Sequence, residues 1–450
     1  MKTKKLLLTV LFLVCFTGAL YPQWTASGNV AILGTYPSIS VCSPTVAWIS
    51  GGLNTPMIFR TVNGGLNWTA VPTNGLAVKA IMCIWAIDSL TCFVGDGGDA
   101  AGTTGGDAIV SKTTNGGQNW VQIFNTGGTA GFFNGIVFSK SMTSFGIAES
   151  DPQAGAGQPY YLQKTTNGGV NWTLTNPPGL SGAASAQNSV MVIDNLFYGF
   201  GLNAGASRVY MTSNGGTNWF VGTLGITGAF TSALAFNDNK LTGIASTSTS
   251  FPNIARTTNG GTTWSSVGLG GTGTTTNSAL KWINGTNTCY FLGQIASMPV
   301  IYKSTNGGLN WTSMTATSPN LFHFDFVRVG TTVTGYAVAV GGSIIKLTET
   351  VTGITEENTV PADYLLGQNY PNPFNPVTTI KFSMPKSGKV TLQVYNVLGE
   401  TVGSVYNNVS FGAGNHDVNF DGSKLSSGIY TYKLIVDGRV IDTKKMVLIK

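Results

Sequence analysis

The stretch 113-TTNGGQNW-120 occurs in six versions along the chain. The other five are 61-TVNGGLNW-68, 165-TTNGGVNW-172, 212-TSNGGTNW-219, 257-TTNGGTTW-264 and 304-STNGGLNW-311. Their tryptophans are separated by 52, 52, 47, 45 and 47 residues. A repeat of this length indicates stacked supersecondary units, and four short strands with their turns fill it well.

Each copy lies between two strand-like runs, such as 108-AIVSK-112 and 120-WVQI-123, so it is predicted to be a hairpin turn. Asn-Gly favours the positive φ angles of a tight turn, and the Thr hydroxyl and Asn amide can bond backbone groups that the turn leaves unpaired. The tryptophan can cover the hairpin with its large apolar face. The residues given this structural role are Asn63, Trp68, Asn115, Trp120, Asn167, Trp172, Asn214, Trp219, Asn259, Trp264, Asn306 and Trp311.

The composition favours strands over helices. Of 450 residues, 60 are glycine and only 9% are charged, while β-branched and aromatic residues are plentiful. The prediction is therefore an all-β protein of two or three domains. The formal net charge of +6 falls to +3 without three lysines at the N-terminus, and no nucleic-acid partner is expected.

Residues 1–23 are predicted to be a secretory signal peptide. Lys2, Lys4 and Lys5 precede the apolar run 6-LLLTVLFLVCF-16, and small residues follow it. We expect the mature protein to have no membrane-spanning segment, because no second apolar run is long enough. Export permits disulfides.

Cys83 and Cys92 would face each other across a hairpin if its turn were centred between Ile87 and Asp88. Buried free thiols are the equal alternative, since an oxidising compartment allows a disulfide without requiring one.

The repeat resembles the Asp-box, or BNR, repeat of sialidase, sortilin and photosystem II assembly-factor propellers, with Asn where that family usually has Asp. The resemblance covers residues 24–351 and implies a β-propeller. It implies no single function, because such propellers serve unrelated tasks.

A seven-bladed ring is predicted, with a six-bladed ring plus an extra sheet as the alternative. After the sixth repeat, 321-LFHFDFVRV-329, 335-GYAVAV-340 and 343-SIIKLTE-349 supply three strands, and 23-QWTASG-28 can supply the fourth. This closure would remove free sheet edges by joining the two ends of the ring.

Residues 352–363 read as a linker and residues 364–450 as a small antiparallel β-sandwich. The last segment resembles the type A C-terminal sorting domain of the type IX secretion system. The resemblance is carried by Asn369, Pro371, Pro373, Asn375, Pro376, Gly399 and Gly428. It implies that the type IX secretion machinery is a partner and that the protein is secreted or displayed on the cell surface.

Enzymatic chemistry is not expected. A sialidase needs an arginine cluster and a Tyr-Glu pair, but the propeller region has four arginines in all and only Glu149 and Glu349 as glutamates. The two histidines, His323 and His416, fall in different domains, so a His-based triad or zinc site is not expected. A polysaccharide-acting glycoside hydrolase remains the alternative.

Two enlarged loops, 95-GDGGDAAGTTGGD-107 and 149-ESDPQAGAGQPYY-161, are predicted to share one face of the ring. Their candidate ligand-binding residues are Asp96, Asp99, Asp107, Glu149, Asp151, Tyr160 and Tyr161. The carboxylates could hold glycan hydroxyls or a cation and the tyrosines could stack on a ligand, whereas two solvated Gly-rich loops are the alternative. The function predicted is a binding or scaffolding module for a glycan or protein, with no cofactor or metal and with calcium left open.

Overall fold

The computed structural model describes residues 23–450 apart from several short segments. These segments are 31–35, 52–55, 77–79, 100–104, 153, 155–157, 181–183, 186–188, 204–206, 227, 229–230, 248–253, 270–278, 296–297, 315, 317, 352–362, 370–371, 387 and 412–413. The predicted signal peptide and linker therefore lie almost entirely outside the described residues. The chain divides into two compact units, Met1–Gly353 and Ile354–Lys450.

The first unit consists of short antiparallel sheets formed by consecutive strands. Strand β1 is Thr25–Asn29. Sheet 1 contains β2 (Ser38–Val41), β3 (Ala47–Gly51), β4 (Met57–Thr61) and β5 (Thr69–Ala70). Sheet 2 contains β6 (Ile81–Ala86), β7 (Cys92–Asp96), β8 (Ile109–Thr113) and β9 (Val121–Asn125). Sheet 3 contains β10 (Phe133–Phe138), β11 (Gly146–Ser150), β12 (Tyr161–Thr165) and β13 (Thr173–Thr175).

The remaining sheets follow the same order. Sheet 4 contains β14 (Ala184–Ser185), β15 (Met191–Val192), β16 (Tyr198–Asn203), β17 (Arg208–Thr212) and β18 (Phe220–Thr223). Sheet 5 contains β19 (Thr231–Phe236), β20 (Gly243–Thr247), β21 (Ile254–Thr257) and β22 (Ser265–Val267). Sheet 6 contains β23 (Ala279–Trp282), β24 (Cys289–Ile295), β25 (Met298–Ser304) and β26 (Thr312–Met314). Sheet 7 contains β27 (Leu321–Val329), β28 (Thr332–Ala339), β29 (Ser343–Thr350) and β1.

The inner strands of these sheets touch one another in a closed circle. Strand β2 contacts β6, and the contacts continue through β10, β15, β19, β23 and β27 back to β2. This arrangement is that of a β-propeller, as predicted. The described residues contain the seven sheets that a seven-bladed ring requires, while the blade number itself stays a prediction.

Sheet 7 joins the two ends of the first unit in the way the closure prediction requires. Strand β1 pairs antiparallel with β29, with Thr25 opposite Lys346. Trp24 is fully buried and packs edge-on against Phe326, with ring centroids 5.7 Å apart. Its large apolar ring therefore anchors the N-terminal strand in the last sheet.

The six repeats are turns between the last two strands of sheets 1 to 6, and their side chains bond the backbone within the turn. In the first copy, Thr61 Oγ1 accepts a hydrogen bond from Gly65 N (2.9 Å), and Asn63 Oδ1 accepts one from Asn67 N (3.1 Å). The positive φ angles lie on Gly64 (75°) and Gly65 (84°). Glycine therefore supplies the left-handed backbone, while the asparagine supplies an acceptor.

A basic residue in the third strand of sheets 2, 3, 5 and 7 links that sheet to the next. Its side chain donates to a glycine carbonyl in the repeat turn of the following sheet. The bonds are Lys112 Nζ to Gly169 O (3.1 Å), Lys164 Nζ to Gly215 O (3.1 Å), Arg256 Nε to Gly307 O (2.6 Å) and Lys346 Nζ to Gly64 O (2.7 Å). Sheet 7 has no repeat, and there Lys303 of sheet 6 contacts Glu349, with Nζ–Oε1 and Nζ–Oε2 distances of 2.8 Å.

The suggested disulfide between Cys83 and Cys92 is wrong. Cys92 lies opposite Ala86, so the two cysteines are out of register, and both are buried free thiols. The turn is longer than predicted because Asp88 Oδ1 accepts hydrogen bonds from both Leu90 N and Thr91 N, at 2.7 Å each.

The second unit is the predicted antiparallel sandwich. One sheet contains β30 (Leu365–Leu366), β31 (Val377–Met384) and β34 (Gly414–Asp421). The other contains β32 (Gly388–Tyr395), β33 (Thr401–Phe411), β35 (Gly428–Val436) and β36 (Arg439–Leu448). Alternate side chains of β31, β32 and β35 are buried, as expected for sheets with one face on a common core.

Candidate functional site

Most of the aspartates in the predicted loops bond the protein itself. Asp96 Oδ1 accepts hydrogen bonds from Gly98 N (3.0 Å) and Ile109 N (2.8 Å). Asp107 accepts from Gly127 N and from Asn125 Nδ2, at 2.7 Å each. Asp99 is partly exposed and lies next to segment 100–104, outside the described residues. These carboxylates therefore shape the loop ends through charge-assisted bonds.

Tyr160 and Tyr161 do not offer the predicted stacking surface. Both are buried: Tyr160 packs against Phe200 with ring centroids 5.0 Å apart, and Tyr161 donates to Asn125 O at 2.8 Å. They lie where the third strand of sheet 3 begins, and their rings fill the space between neighbouring sheets. The expectation was wrong because aromatic rings at a strand end are drawn into the core.

Glu149 and Asp151 are brought together by Ser185. Ser185 Oγ lies 2.6 Å from Glu149 Oε1 and 2.8 Å from Asp151 Oδ1, and Asp151 Oδ1 also accepts from Ser185 N at 2.9 Å. Asn134 Nδ2 contacts Asp151 Oδ1 at 2.9 Å and Ser185 Oγ at 2.7 Å. This carboxyl cluster, defined by these four residues, spans sheets 3 and 4.

Burial controls the protonation of this pair. Glu149 has no exposed surface, and desolvation, reinforced by the nearby Asp151 charge, raises its pKa well above the ordinary value. Desolvation also raises the pKa of Asp151, and for both carboxyl groups the bonds from Ser185 and Asn134 oppose the rise without cancelling it. A ligand cannot touch Glu149 in this conformation.

A second site lies on the axis of the ring, where sequence reasoning did not place one. A cavity of about 250 Å³ is lined by Trp85, Lys140, Trp282 and Arg328, among others. These residues lie at or just beyond the carboxyl ends of the first strands of their sheets. In each antiparallel sheet, the turn after the first strand and the repeat turn lie at the same end. This axial cavity therefore lies on the face of the ring that carries the repeat turns, opposite the face of the predicted loops.

Two lysines near the axial cavity contact one buried carboxylate. Asp325 lies 3.7 Å from Lys140 Nζ and 3.4 Å from Lys281 Nζ, and it accepts from Val41 N at 2.8 Å. Burial alone would raise the pKa of Asp325, but the two lysines and the N–H donor hold it below its ordinary value. Lys140 Nζ also lies 4.6 Å from the centre of the Trp85 ring.

His323, on the same strand as Asp325, is a buried neutral acceptor. Its Nδ1 accepts a hydrogen bond from Ile39 N at 3.1 Å. Desolvation, together with the Lys281 charge, lowers the pKa of His323 to about 3. It therefore adds no positive charge beside Asp325 at neutral pH.

The signal that sequence reasoning passed over is a charged residue at the end of an apolar strand. Lys140 ends 133-FNGIVFSK-140, Lys281 interrupts 279-ALKW-282 and Asp325 interrupts 322-FHFDF-326. Burying a charged side chain in an inner strand destabilises the fold unless the charge is paired. Three such residues in apolar strands therefore indicate that they lie close enough to pair with one another.

The described residues contain no cluster of three or more His, Cys, Asp or Glu side chains suited to a metal ion. In the same part of the chain, no helix has the length and apolarity needed to span a bilayer.

The Asn-Pro segment of the second unit is fixed by buried hydrogen bonds. Asn369 is buried; its N–H donates to Tyr432 Oη (2.8 Å) and its Nδ2 to Thr378 Oγ1 (2.9 Å). Gly399 has a φ of 81°, which favours glycine, whereas Pro371 lies outside the described residues. Backbone bonds between Phe374 and the last strand tie the segment to the C-terminal end of the unit.

Residues 368–450 match the model of the secretion system C-terminal sorting domain family. The chain carries a type IX sorting domain. It is therefore exported by type IX secretion to the cell surface or the extracellular space. The secretion machinery is the partner that this domain implies.

Solved structures of YCF48 are similar to the chain. A structure described as YCF48 bound to D1 peptide has 15% identity and a TM-score of 0.49, covering 74% of this chain and 97% of its own. YCF48 from Cyanidioschyzon merolae has 14% identity and a TM-score of 0.48, covering 72% and 98% respectively. No curated protein matches the sequence. The propeller assignment therefore rests on the sheets of this chain.

Proposed function

We propose that the exported propeller is a binding module and that the axial cavity takes an anionic ligand. The observation that supports it is the set of cations around the cavity. Lys140 and Arg328 line this cavity, while Lys281, Asp325 and Asp238 line the cavity beside it, so three cations stand against two carboxylates among these lining residues. A cation enclosed by protein attracts an anion more strongly than one in bulk water.

The remaining lining suits a ligand with a flat apolar side. Trp85 and Trp282 both line the cavity, and Trp282 Nε1 is fixed by a 2.8 Å bond to Thr286 O. The volume of about 250 Å³ lies below the roughly 300–1,000 Å³ of sites that enclose a whole small molecule. We therefore expect the cavity to hold one acidic unit of a longer ligand, such as a uronate residue of a polysaccharide.

Calorimetric titration of the full chain with oligogalacturonate tests this proposal, with a neutral oligosaccharide of equal length as the control ligand. Lys140→Met should weaken binding about 10- to 100-fold, because a hydrogen bond to a charged group contributes about 1.5–3 kcal/mol. Lys240→Met, which removes a partly exposed lysine paired with Asp194, should leave the affinity unchanged. Equal binding of the neutral oligosaccharide, or full affinity in Lys140→Met, would contradict the proposal.

A glycoside hydrolase is the second candidate, and the carboxyl cluster is what favours it. Glu149 and Asp151 contact one hydroxyl, and a pKa raised by burial is what a general acid needs. Release of reducing ends from a polysaccharide by the full chain, abolished in Glu149→Gln, would support this activity. We favour binding because Glu149 is inaccessible.

The loop candidates and calcium are tested separately. The Asp99→Ala, Asp151→Ala double variant should bind oligogalacturonate as the wild type does if the axial cavity is the site. A thermal shift with calcium that is reversed by a chelator and lost in this variant would instead support a cation site at the loops.

A further inference from the structure

The hydrogen-bond count around Ser185 requires one more proton than two ionised carboxylates allow. A hydroxyl has one hydrogen to donate and two lone pairs to accept with. Ser185 Oγ accepts from Asn134 Nδ2 (2.7 Å) and lies within bonding distance of Glu149 Oε1 (2.6 Å) and Asp151 Oδ1 (2.8 Å). It can donate to only one of these oxygens, so the other carboxyl must donate to it.

We propose that Glu149 is a neutral acid in the folded protein and forms a proton-dependent latch between sheets 3 and 4. Glu149 Oε1–H donates to Ser185 Oγ, which donates to the Asp151 carboxylate. Asp151 is the acceptor because it also takes the N–H of Ser185 and a bond from Asn134. Among the described residues, Glu149 Oε2 is buried without a hydrogen-bond partner, which a neutral acid tolerates far better than a carboxylate.

The surroundings favour the neutral form. Asp151 is the nearest charged group, Tyr160 faces the pair from the start of β12, and Cys83 on β6 lies close to both Glu149 and Asp96. Arg208 on β17 is a nearby cation, and its charge acts on Tyr160. An ionised Glu149 would therefore lie beside a second carboxylate, with no cation in contact among the described residues.

The latch holds the short strand β14 near the axis of the ring. Ser185 belongs to β14, whose residues pair with Leu202 and Asn203 of sheet 4, and Asn134 lines a small cavity on the axis together with His323 and Asp325. Loss of the Glu149 proton to solvent removes the donor to Ser185 and places two negative charges on one hydroxyl. The contact between β14 and sheet 3 then weakens, so raising the pH opens the ring at this point.

Infrared difference spectra of the full chain with ¹³C-labelled glutamate test the protonation directly. At neutral pH, the wild type should show a carboxylic acid C=O band that is absent in Glu149→Gln. Asp107→Asn is the matched control, because Asp107 accepts two N–H bonds as a carboxylate, and it should keep the band. A wild-type spectrum without a glutamic acid band at neutral pH would overturn the proposal.

Hydrogen exchange and urea unfolding test the latch. Above the ordinary pKa of glutamate, the unfolding constant of the wild type relative to Glu149→Gln should rise up to tenfold per pH unit, since folding retains one proton. Exchange of residues 184–203, corrected for intrinsic rates, should accelerate over the same range in the wild type alone. Parallel pH profiles in both proteins would refute the latch.

Discussion

The contact between Lys303 and Glu349 makes a sharp test of how the sheets are held together. It replaces, at the one sheet without a repeat turn, the bond from a cation to a glycine carbonyl found between other sheets. Glu349 has a side chain only 1% exposed, and it bonds Tyr290 Oη as well as Lys303 Nζ. Lys303→Met removes the sole cation that contacts this carboxylate among the described residues.

The expected cost is large because the carboxylate stays behind. Removing one partner of a buried ion pair costs about 3–5 kcal/mol, since the other charge is left without compensation. For a unit of this size, whose unfolding entropy is about 0.7 kcal/mol/K, that loss lowers the melting temperature by roughly 4–7 °C. Replacing the carboxylate as well, in Lys303→Met with Glu349→Gln, should recover most of the stability because the neutral amide still accepts from Tyr290.

Differential scanning calorimetry of the full chain measures this effect, and a double-mutant cycle isolates the pair. The second unit contains neither residue, so its transition serves as an internal reference. If Lys303→Met melted within about 2 °C of the wild type, or if the double variant were no more stable than the single one, the pair would not be the buried linkage described above.

Three further predictions follow from other contacts. Lys164→Met should lower the free energy of unfolding, measured with urea, by only about 1 kcal/mol, because methionine already occupies the equivalent position, Met211, in the next sheet. A loss above about 3 kcal/mol would contradict this. The folded pKa of His323 is about 3, below the ordinary 6.5, so the stability linked to its neutral form is complete above pH 6.5. About 5 kcal/mol of stability is lost as the pH falls towards 3, and His323→Gln should flatten that part of the stability profile. Cys83 and Cys92 should react with a thiol reagent only after unfolding, and a reductant should not shift the melting temperature; a shift would indicate a disulfide.

The fold could be predicted from the sequence because the residues that determine each repeat turn are close together in the chain. Within four residues, Thr61 and Asn63 bond the backbone of their own turn, so the sequence around each repeat contains the whole explanation of that turn. Closure of the ring could be predicted for a related reason, because the segment 23-QWTASG-28 matched the strand that sheet 7 lacked.

The site was less readable because it depends on contacts between distant segments. Lys140, Lys281 and Asp325 meet only after the ring forms. Tyr160 and Asp96 were credible ligand residues by type, but burial of the ring and bonds to loop N–H groups give them other roles. Composition shows which side chains a loop carries, whereas only the packed structure shows which of them are already engaged.

The pairing of β1 with β29 in sheet 7, called the seam here, sets the order in which the ring can be assembled. It pairs positions as far apart as Thr25 and Lys346, a separation of 321 residues, whereas the hairpins of the other sheets involve near neighbours. Closing so long a loop carries a greater entropic cost and slows the contact relative to local hairpins. A chain whose residues 343–350 have not yet emerged during synthesis or export can form six sheets, but it cannot close the ring. Ring closure therefore requires both ends of the first unit to be present. A molecule that loses residues 24–29 exposes the edge of β29, which can then pair with a strand from another copy.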